Sequence, residues 1–166
     1  MRELPRTGLA VAAIVFLVDQ LVKWFVTGPL GVRAIGDYLY LIPFFDLRFV
    51  PNVGVSLGLL PAQSDAMRWG LVAMTAAIAA FVGVWMLRER SRPEQAALGL
   101  VLGGALGNIL DRVRFGYVVD YADLHIGEWR PFYIFNIADA AITIGVVILL
   151  LRALFARGER TEKANA

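Results

Sequence analysis

Residues 69–87, WGLVAMTAAIAAFVGVWML, decide the fold class because this stretch of the sequence contains no charged side chain. A helix that crosses a membrane needs about 20 mostly apolar residues, and this stretch meets that requirement. The composition agrees, since 58% of the residues are hydrophobic and 18% are charged, against roughly 45–50% and about 25% in soluble domains. The sequence therefore predicts an integral membrane protein.

Three further segments are apolar enough to form spanning helices, at about 9–26, 96–112 and 137–155. The segment at 96–112 is short and rich in glycine, so we expect this helix to extend into the flanking residues. The first carries charged residues where a cleaved signal peptide should be small and neutral, which favours a retained helix. We predict an all-α membrane protein in which residues 1–166 form one domain with four transmembrane helices.

The basic residues predict the orientation of this bundle. Both tails and the loop between the second and third helices contain nine of them, namely Arg2, Arg6, Arg88, Arg90, Arg92, Arg152, Arg157, Arg160 and Lys163. The opposite side contains six, namely Arg33, Arg48, Arg68, Arg112, Arg114 and Arg130. Because cytoplasmic loops carry the excess of Lys and Arg, we expect both termini in the cytoplasm. The outer loops are then at about 27–65 and 114–134.

The first outer loop is too long to be a simple connection. Its residues 46–49 alternate between polar and apolar side chains. After Pro51, a second alternation places Asn52, Gly54, Ser56 and Gly58 on one face and Val53, Val55, Leu57 and Leu59 on the other. Alternation with a period of two is typical of a strand. We predict a small extracytoplasmic β-element whose bare face lets another backbone approach.

Ionisable side chains mark a candidate site at the outer side. Asp19, Lys23 and Asp139 lie inside predicted helices, and Asp120 lies just beyond the end of the third helix. Charges within a membrane are costly and are candidate functional residues. The third helix ends and the fourth begins on the same side, so Asp120 and Asp139 should lie close together. Two such carboxylates can share a proton, one acting as a base on water while the other donates to a carbonyl.

Each of these residues also has a purely structural interpretation. Asn136 and Asp139 are three residues apart at the start of the fourth helix, as in a capping box. Asp120 could be a solvated loop carboxylate. Asp19 and Lys23, four apart on one helix face, could be an ion pair that neutralises two costly charges. The side chains alone leave these alternatives open.

The third helix adds small and polar residues along one face. Glycines recur at a spacing of four as Gly99, Gly103 and Gly107, which is typical of close helix packing. Asn108 and Arg112 continue toward the outer end and could orient a carboxylate or a substrate carbonyl. Arg112 could instead anchor the helix at the interface, or pair with Asp111 at the surface.

Several kinds of chemistry are excluded by composition. The chain has no cysteine, which rules out a thiol nucleophile, a disulfide framework and a Cys-ligated zinc site. It has one histidine, His125, which rules out a site with several histidine ligands. The net charge of +2 is too small to indicate nucleic-acid binding. We expect neither a metal nor an organic cofactor.

Four sequence motifs carry a family resemblance. They are DQLVK at 19–23, GGALGNILDR at 103–112, GYVVDY at 116–121 and FNIADAAI at 135–142. In this order, and over most of the chain, they resemble the motifs of lipoprotein signal peptidases (signal peptidase II). One segment departs: where the family typically has Asn-Thr-Gly-Ala-Ala-Phe, this chain has NVGVSL at 52–57. That difference concerns substrate fit or loop mobility rather than the chemistry.

The resemblance implies a single membrane peptidase domain in the bacterial inner membrane, with Asp120 and Asp139 as the catalytic pair of an aspartic endopeptidase near the periplasmic face. It implies that the supporting or substrate-binding residues are Asp19, Lys23, Asn52, Gly54, Gly104, Asn108, Arg112 and Asn136. Its substrates would be prolipoproteins carrying a diacylglyceryl-cysteine, cut just before that cysteine. Membrane lipids and globomycin-type inhibitors would be its other partners.

Two rival functions remain at the level of sequence. A small proton- or solute-conducting bundle would use the intramembrane Asp and Lys side chains as a relay. Clustering of the acids at one face, and a second helix without charge, disfavour that rival. A non-catalytic homologue that only binds lipoproteins is the other, and the presence of both aspartates disfavours it.

Overall fold

The computed structural model describes residues 4–54 and 65–164, which form four helices and one small sheet. The elements in chain order are α1 (Arg6–Thr27), β1 (Tyr38–Ile42), β2 (Phe45–Asn52), α2 (Asp65–Arg88), α3 (Arg92–Phe115), β3 (Val118–Leu124) and α4 (Ile137–Ala164). All four helices are long and apolar enough to cross a membrane, α4 through the part Ile137–Phe155. The predicted four-helix membrane architecture is confirmed.

Helix α3 is the centre of the bundle and packs against each of the other three helices. Its mean hydropathy of 1.3 is the lowest of the four helices. In its most apolar stretch 56% of the residues are buried, a larger share than in the other three. It is longer than the predicted 96–112 because it begins at Arg92, with Pro93 in its first turn, where proline is preorganised for a helix. A helix enclosed by protein can be less apolar than helices that face lipid.

Glycines in α3 let the neighbouring helices approach closely. A Cβ atom on Gly103 would lie 2.5 Å from the carbonyl oxygen of Ala12 in α1. A Cβ atom on Gly104 would lie 2.5 Å from the carbonyl oxygen of Ala138 in α4. The predicted close packing is therefore confirmed, and it places α1 and α4 against two faces of α3.

The sheet has three antiparallel strands in the order β1-β2-β3. Strand β2 contains the predicted alternating stretch 46–49 and ends at Asn52, while Ser56, Gly58 and the rest of the predicted second alternation lie outside the described residues. The predicted β-element of the first outer loop is confirmed as β1 and β2, and β3 extends it with a strand from the loop between α3 and α4. Its residues are buried on both faces, so the strand lacks a period of two.

An apolar cluster fastens the sheet to the end of α1. Its buried members are Val26, Val32, Leu47, Phe49, Val119, Tyr121 and Ala122. Beyond β3, the backbone of Phe135 exchanges hydrogen bonds with Ala122, so the chain enters α4 directly from the edge of the sheet. The sheet, the end of α3 and the start of α4 thus meet at one end of the bundle.

Candidate active site

Asp120 lies on β3 rather than in a solvated loop, and it is only 2% exposed. In the sheet it is opposite Val50 of β2. Both carboxylate oxygens accept hydrogen bonds from side-chain amides: Nδ2 of Asn52 lies 2.9 Å from Oδ2, and Nδ2 of Asn136 lies 2.7 Å from Oδ1. Asn52 from β2 and Asn136 from the start of α4 therefore fix the orientation of this carboxyl group.

Asp139 lies in the first turn of α4, and it forms the predicted capping box with Asn136. The backbone N–H of Asp139 donates to Oδ1 of Asn136 at 2.9 Å, and the backbone N–H of Asn136 donates to Oδ2 of Asp139 at 3.2 Å. The remaining oxygen, Oδ1, accepts from Nδ2 of Asn108 at 2.9 Å. Asp139 thus has its predicted place in the capping box, and it also has a contact with Asn108 that the capping box does not require.

Asn136 joins the two acids. Its side-chain amide donates to Asp120, while its backbone N–H and side-chain oxygen engage Asp139. It is 1% exposed, and its Nδ2 is also within 3.4 Å of Oδ1 of Asn108. The structure therefore brings Asp120 and Asp139 together through one shared neighbour, at the point where α3, β3 and α4 meet.

The two carboxyl groups differ electrostatically from ordinary surface acids. Burial raises the pKa of Asp120 from 3.8 to about 7, and the nearby negative charge of Asp139 acts on that pKa in the same direction. The two amide hydrogen bonds from Asn52 and Asn136 oppose this shift in pKa without cancelling it. Asp120 consequently holds a proton for a large part of the time near neutral pH.

Asp19 and Lys23 of α1 contact residues that neighbour this pair. Nζ of Lys23 is 2.7 Å from Oδ2 of Asp19, 2.8 Å from Oδ2 of Asp111 and 3.4 Å from Oδ1 of Asn108. Asp19 is fully buried and also accepts the backbone N–H of Ala138 in the first turn of α4. The ion pair therefore both neutralises buried charge and connects α1 to the residues that hold Asp139.

Asp111 and Gln20 are members of the site that sequence reasoning missed. The interpretation of Asp111 as a surface partner of Arg112 is wrong, because Asp111 is 1% exposed and bonds to Lys23, to Nε2 of Gln20 and to the backbone N–H of Val119. Its position three residues after Asn108, on the same face of a helix, is the signal that could have revealed it.

Gly104 and Gly107 create the space that the site needs. The contact of Gly104 with Ala138 and Ile142 brings the start of α4 against α3. A Cβ atom on Gly107 would lie 2.5 Å from Oδ2 of Asp19. Any larger residue at these two positions would displace a carboxylate or the helix that carries one.

The end of α3 is arranged so that the chain turns directly into β3. Gly116 ends the helix with a φ of +85°, a conformation that favours glycine. Arg68 of α2 donates to the carbonyl oxygens of Arg112 and Val113 at 2.8 and 2.6 Å. The guanidinium of Arg112 lies near the carboxylates of Asp139, Asp120 and Asp111. Its Nε is buried and has no hydrogen-bond partner within the described residues.

A cavity of about 920 Å³ opens beside Asp120. Among the described residues, those that line it are Val50, Pro51, Asn52, Val53, Gly54, Asp120, Arg130, Pro131, Phe132, Tyr133 and Ile134. Gly54 has a φ of +100°, and a Cβ atom there would collide with Leu71 of α2. The side chain of Leu71 therefore occupies the space beside the Cα of Gly54, where the sequence predicts room for another backbone.

The described part of the chain contains no group of three or more His, Asp or Glu side chains placed to hold a metal ion. The buried acids instead have amide, ammonium or guanidinium groups as their partners. Four spanning helices, with one buried carboxyl group beside an open cavity and a second linked to it through Asn136, define a multi-pass membrane protein with an acid pair at one end of its bundle.

The chain belongs to the signal peptidase (SPase) II family, whose model matches residues 11–155. It is 56% identical to a lipoprotein signal peptidase of Rhizorhabdus wittichii, over 95% of this chain and 91% of the relative. It is 54% identical to a lipoprotein signal peptidase of Sphingopyxis alaskensis, over 97% and 92% of the two chains. The family resemblance found in the sequence motifs is confirmed, and the family is one of peptidases.

Solved structures share the fold. One bacterial membrane enzyme determined at 2.3 Å resolution by the in meso method superposes with a TM-score of 0.77 and 30% identity, covering 92% of this chain and 90% of the other. Another, at 1.9 Å resolution, gives a TM-score of 0.76 and 32% identity, covering 89% and 92%. The arrangement of helices and sheet is therefore that of bacterial membrane enzymes.

Proposed function

We propose that this protein is an aspartic endopeptidase that removes the signal peptide from prolipoproteins. The observation that carries the proposal is Asn136, which holds Asp120 by its side chain and Asp139 by its capping box. Two carboxyl groups so held can act on one water molecule. The relatives that are 54% and 56% identical bear the name lipoprotein signal peptidase, which supports the choice of substrate.

The proposed reaction uses the two acids in opposite protonation states. Asp139 takes a proton from the water whose oxygen attacks the scissile carbonyl carbon, and Asp120 gives its proton to the carbonyl oxygen. The resulting diol then collapses: Asp120 takes a proton back from one of its hydroxyl groups, the carbon–nitrogen bond breaks, and the proton on Asp139 passes to the departing amine. Both acids thereby return to their starting protonation states. The balance of protons needs neither a metal nor an organic cofactor.

The environment of Asp139 supports its role as the ionised partner. Its carboxylate lies at the N-terminus of α4, where the helix dipole favours negative charge. It accepts one bond from a backbone N–H and one from Asn108. Oδ1 of Asn108 faces Lys23 and Asn136, both of them donors, so its amide nitrogen is left to face Asp139. The raised pKa of Asp120 supports the complementary role, that of the partner that holds the proton.

The proposed substrate is a prolipoprotein whose lipobox cysteine carries diacylglycerol, cut immediately before that cysteine. Such a substrate has an apolar signal peptide for the helices, a lipid for the bilayer and a polar segment for the cavity beside Asp120. Arg112, whose guanidinium lies near the carboxylates of Asp139 and Asp120, would orient this acid pair under the proposal. Globomycin-type inhibitors and membrane lipids are further partners under this proposal.

The proposed location is the bacterial inner membrane, with residues 1–166 acting as a single peptidase domain. The distribution of arginine and lysine supports a cytoplasmic position for both termini. The sheet and the acid pair, which lie at the opposite end of the bundle, would then be near the periplasmic face.

The proposal is tested by incubating the purified protein, in lipid, with a prolipoprotein prepared with and without the diacylglyceryl group. Cleavage of the lipidated precursor just before the cysteine is expected, and a strong metal chelator should not prevent it. The unlipidated precursor should remain uncut. Failure to cleave the lipidated precursor would exclude the peptidase, whereas binding without cleavage would support the non-catalytic alternative.

A further inference from the structure

A second group of charged side chains lies on the sheet and has no part in the proposed reaction. At its centre is Asp123 of β3, which is fully buried. Nε of Arg130 lies 3.0 and 3.1 Å from the two carboxylate oxygens of Asp123, and Nε of Arg48 lies 3.6 Å from one of them. A buried carboxylate with two arginine partners is costly to build unless the geometry is well satisfied.

Each acid in this group has a basic partner. Asp46 of β2 lies opposite Asp123 in the sheet, and Oδ2 of Asp46 is 3.1 Å from Nε2 of His125. Asp123 is thus paired with Arg130 and Arg48, whereas Asp46 is paired with His125. Because its charge is already compensated, Arg130 is suited to donating to a neutral carbonyl oxygen rather than to capturing a free anion.

Arg130 belongs to this charged group and also lines the cavity beside Asp120. Its side chain is 39% exposed. Asp123 engages only Nε, and NH1 makes one long contact of 3.5 Å with the carbonyl oxygen of Glu128. A guanidinium has five N–H donors, so most of its donor capacity is not used by Asp123. Arg48 contacts the same carboxylate but is not among the described residues that line the cavity.

The cavity is built from the parts of the chain outside the membrane. Among the described residues, its lining comes from 50–54, from Asp120 and from 130–134, and none of it from the four helices. An apolar signal peptide would remain among the helices, on the other side of the acid pair. The space that Arg130 reaches is therefore suited to the polar segment on the far side of the scissile bond.

We propose that Arg130 positions the substrate by donating to a main-chain carbonyl oxygen in the mature segment that follows the lipidated cysteine, and that Asp123 holds its guanidinium in place. This inference rests on the proposed peptidase function and adds a binding residue on the mature side of the cut. Arg130 transfers no proton in the reaction. Its loss should therefore weaken substrate binding without slowing the chemical step.

The test compares two lipidated precursors with the same signal peptide, one ending directly after the modified cysteine and one carrying a longer polar segment beyond it. With the longer precursor, Arg130→Gln should raise KM about tenfold, the usual scale for one hydrogen bond to a charged donor, and leave kcat within about twofold. With the shorter precursor the two enzymes should have the same KM. Asp123→Asn should raise KM for the longer precursor in the same direction.

Arg48→Gln is the matched control, because Arg48 contacts the same carboxylate of Asp123 and its side chain is 42% exposed, close to the 39% of Arg130. It should leave both KM values unchanged. An equal effect of Arg130→Gln on both precursors, an effect shared by Arg48→Gln, or no effect on the longer precursor would each overturn the inference. Cleavage of both precursors by the wild-type protein shows that the proposed function holds, so a failure confined to Arg130 is distinguishable from a failure of the function.

Discussion

At the scale of single residues, the site is defined by what surrounds its charges. Asp120 has two amide donors and Asp139 has one amide and one backbone donor. Lys23 lies between Asp19 and Asp111 and compensates them in a region where an unpaired charge would be costly. The acids therefore differ in environment although they share Asn136, and this difference makes opposite protonation states possible.

The raised pKa of Asp120 predicts how stability depends on pH. The folded protein keeps the proton of Asp120 between about pH 4 and about pH 7, where the unfolded chain loses it. The contribution of this proton to stability is complete below about pH 4 and is lost as the pH rises to about 7. An asparagine side chain is neutral throughout, so the melting temperature of Asp120→Asn minus that of the wild type should increase from about pH 4 to about pH 8.

Thermal unfolding in lipid at several pH values measures that difference. The side-chain amide introduced by Asp120→Asn would meet the donor groups of Asn52 and Asn136, which adds an offset that does not vary with pH. Only the change in the difference is therefore diagnostic. A difference that stays constant from about pH 4 to about pH 8 would contradict the raised pKa of Asp120.

At the scale of elements, α3 is the scaffold on which the site is assembled. It contributes Asn108 and Asp111 directly and, through Gly104, admits the helix that carries Asp139. Strand β3 follows α3 after the turn at Gly116 and carries Asp120. The relative position of the two acids therefore depends on the contact between α3 and α4.

Gly104→Ala tests that dependence. The added Cβ atom would lie 2.5 Å from the carbonyl oxygen of Ala138 and 2.8 Å from Cγ1 of Ile142, so α4 must move. Overpacking of this kind costs about 1–3 kcal/mol, and we expect cleavage to fall at least about tenfold because the acids separate.

Gly83→Ala in α2 is the matched control, since no atom lies within 4 Å of a Cβ atom placed there. It should preserve cleavage and stabilise the helix by up to about 1 kcal/mol. The two expectations are checked by measuring cleavage rates and melting temperatures of both variants in lipid. Equal cleavage by the two variants would show that the α3–α4 contact does not position the acids.

At the scale of the whole molecule, much of the architecture follows from the sequence. Hydropathy predicts the four helices, and the resulting topology brings Asp120 and Asp139 to the same end. Strand β3 escapes prediction, because both of its faces are buried and its sequence does not alternate. The burial of Asp111 escapes it too, because its true partner, Lys23, lies on another helix and only the packing of α1 against α3 brings them together.

The proposed topology can be measured in whole cells with a membrane-impermeant thiol reagent. The chain has no native cysteine, so a single introduced cysteine gives the only signal. Ile35→Cys, at a position that is 81% exposed beside the sheet, should be labelled. Ser91→Cys, between α2 and α3, should be protected until the cells are opened. The reverse labelling pattern would place both termini outside and remove the periplasmic location of the site.

The most direct measurement of the central claim is cleavage of a lipidated prolipoprotein by Asp120→Asn, Asp139→Asn and the double variant. Each single variant should insert and fold but lose cleavage by a factor of about 10³ or more, and the double variant should be little worse because the two acids act as a unit. Asp65→Asn, at an exposed acid at the start of α2, should cleave normally. An Asp120→Asn protein that cleaves at close to the wild-type rate would contradict the mechanism.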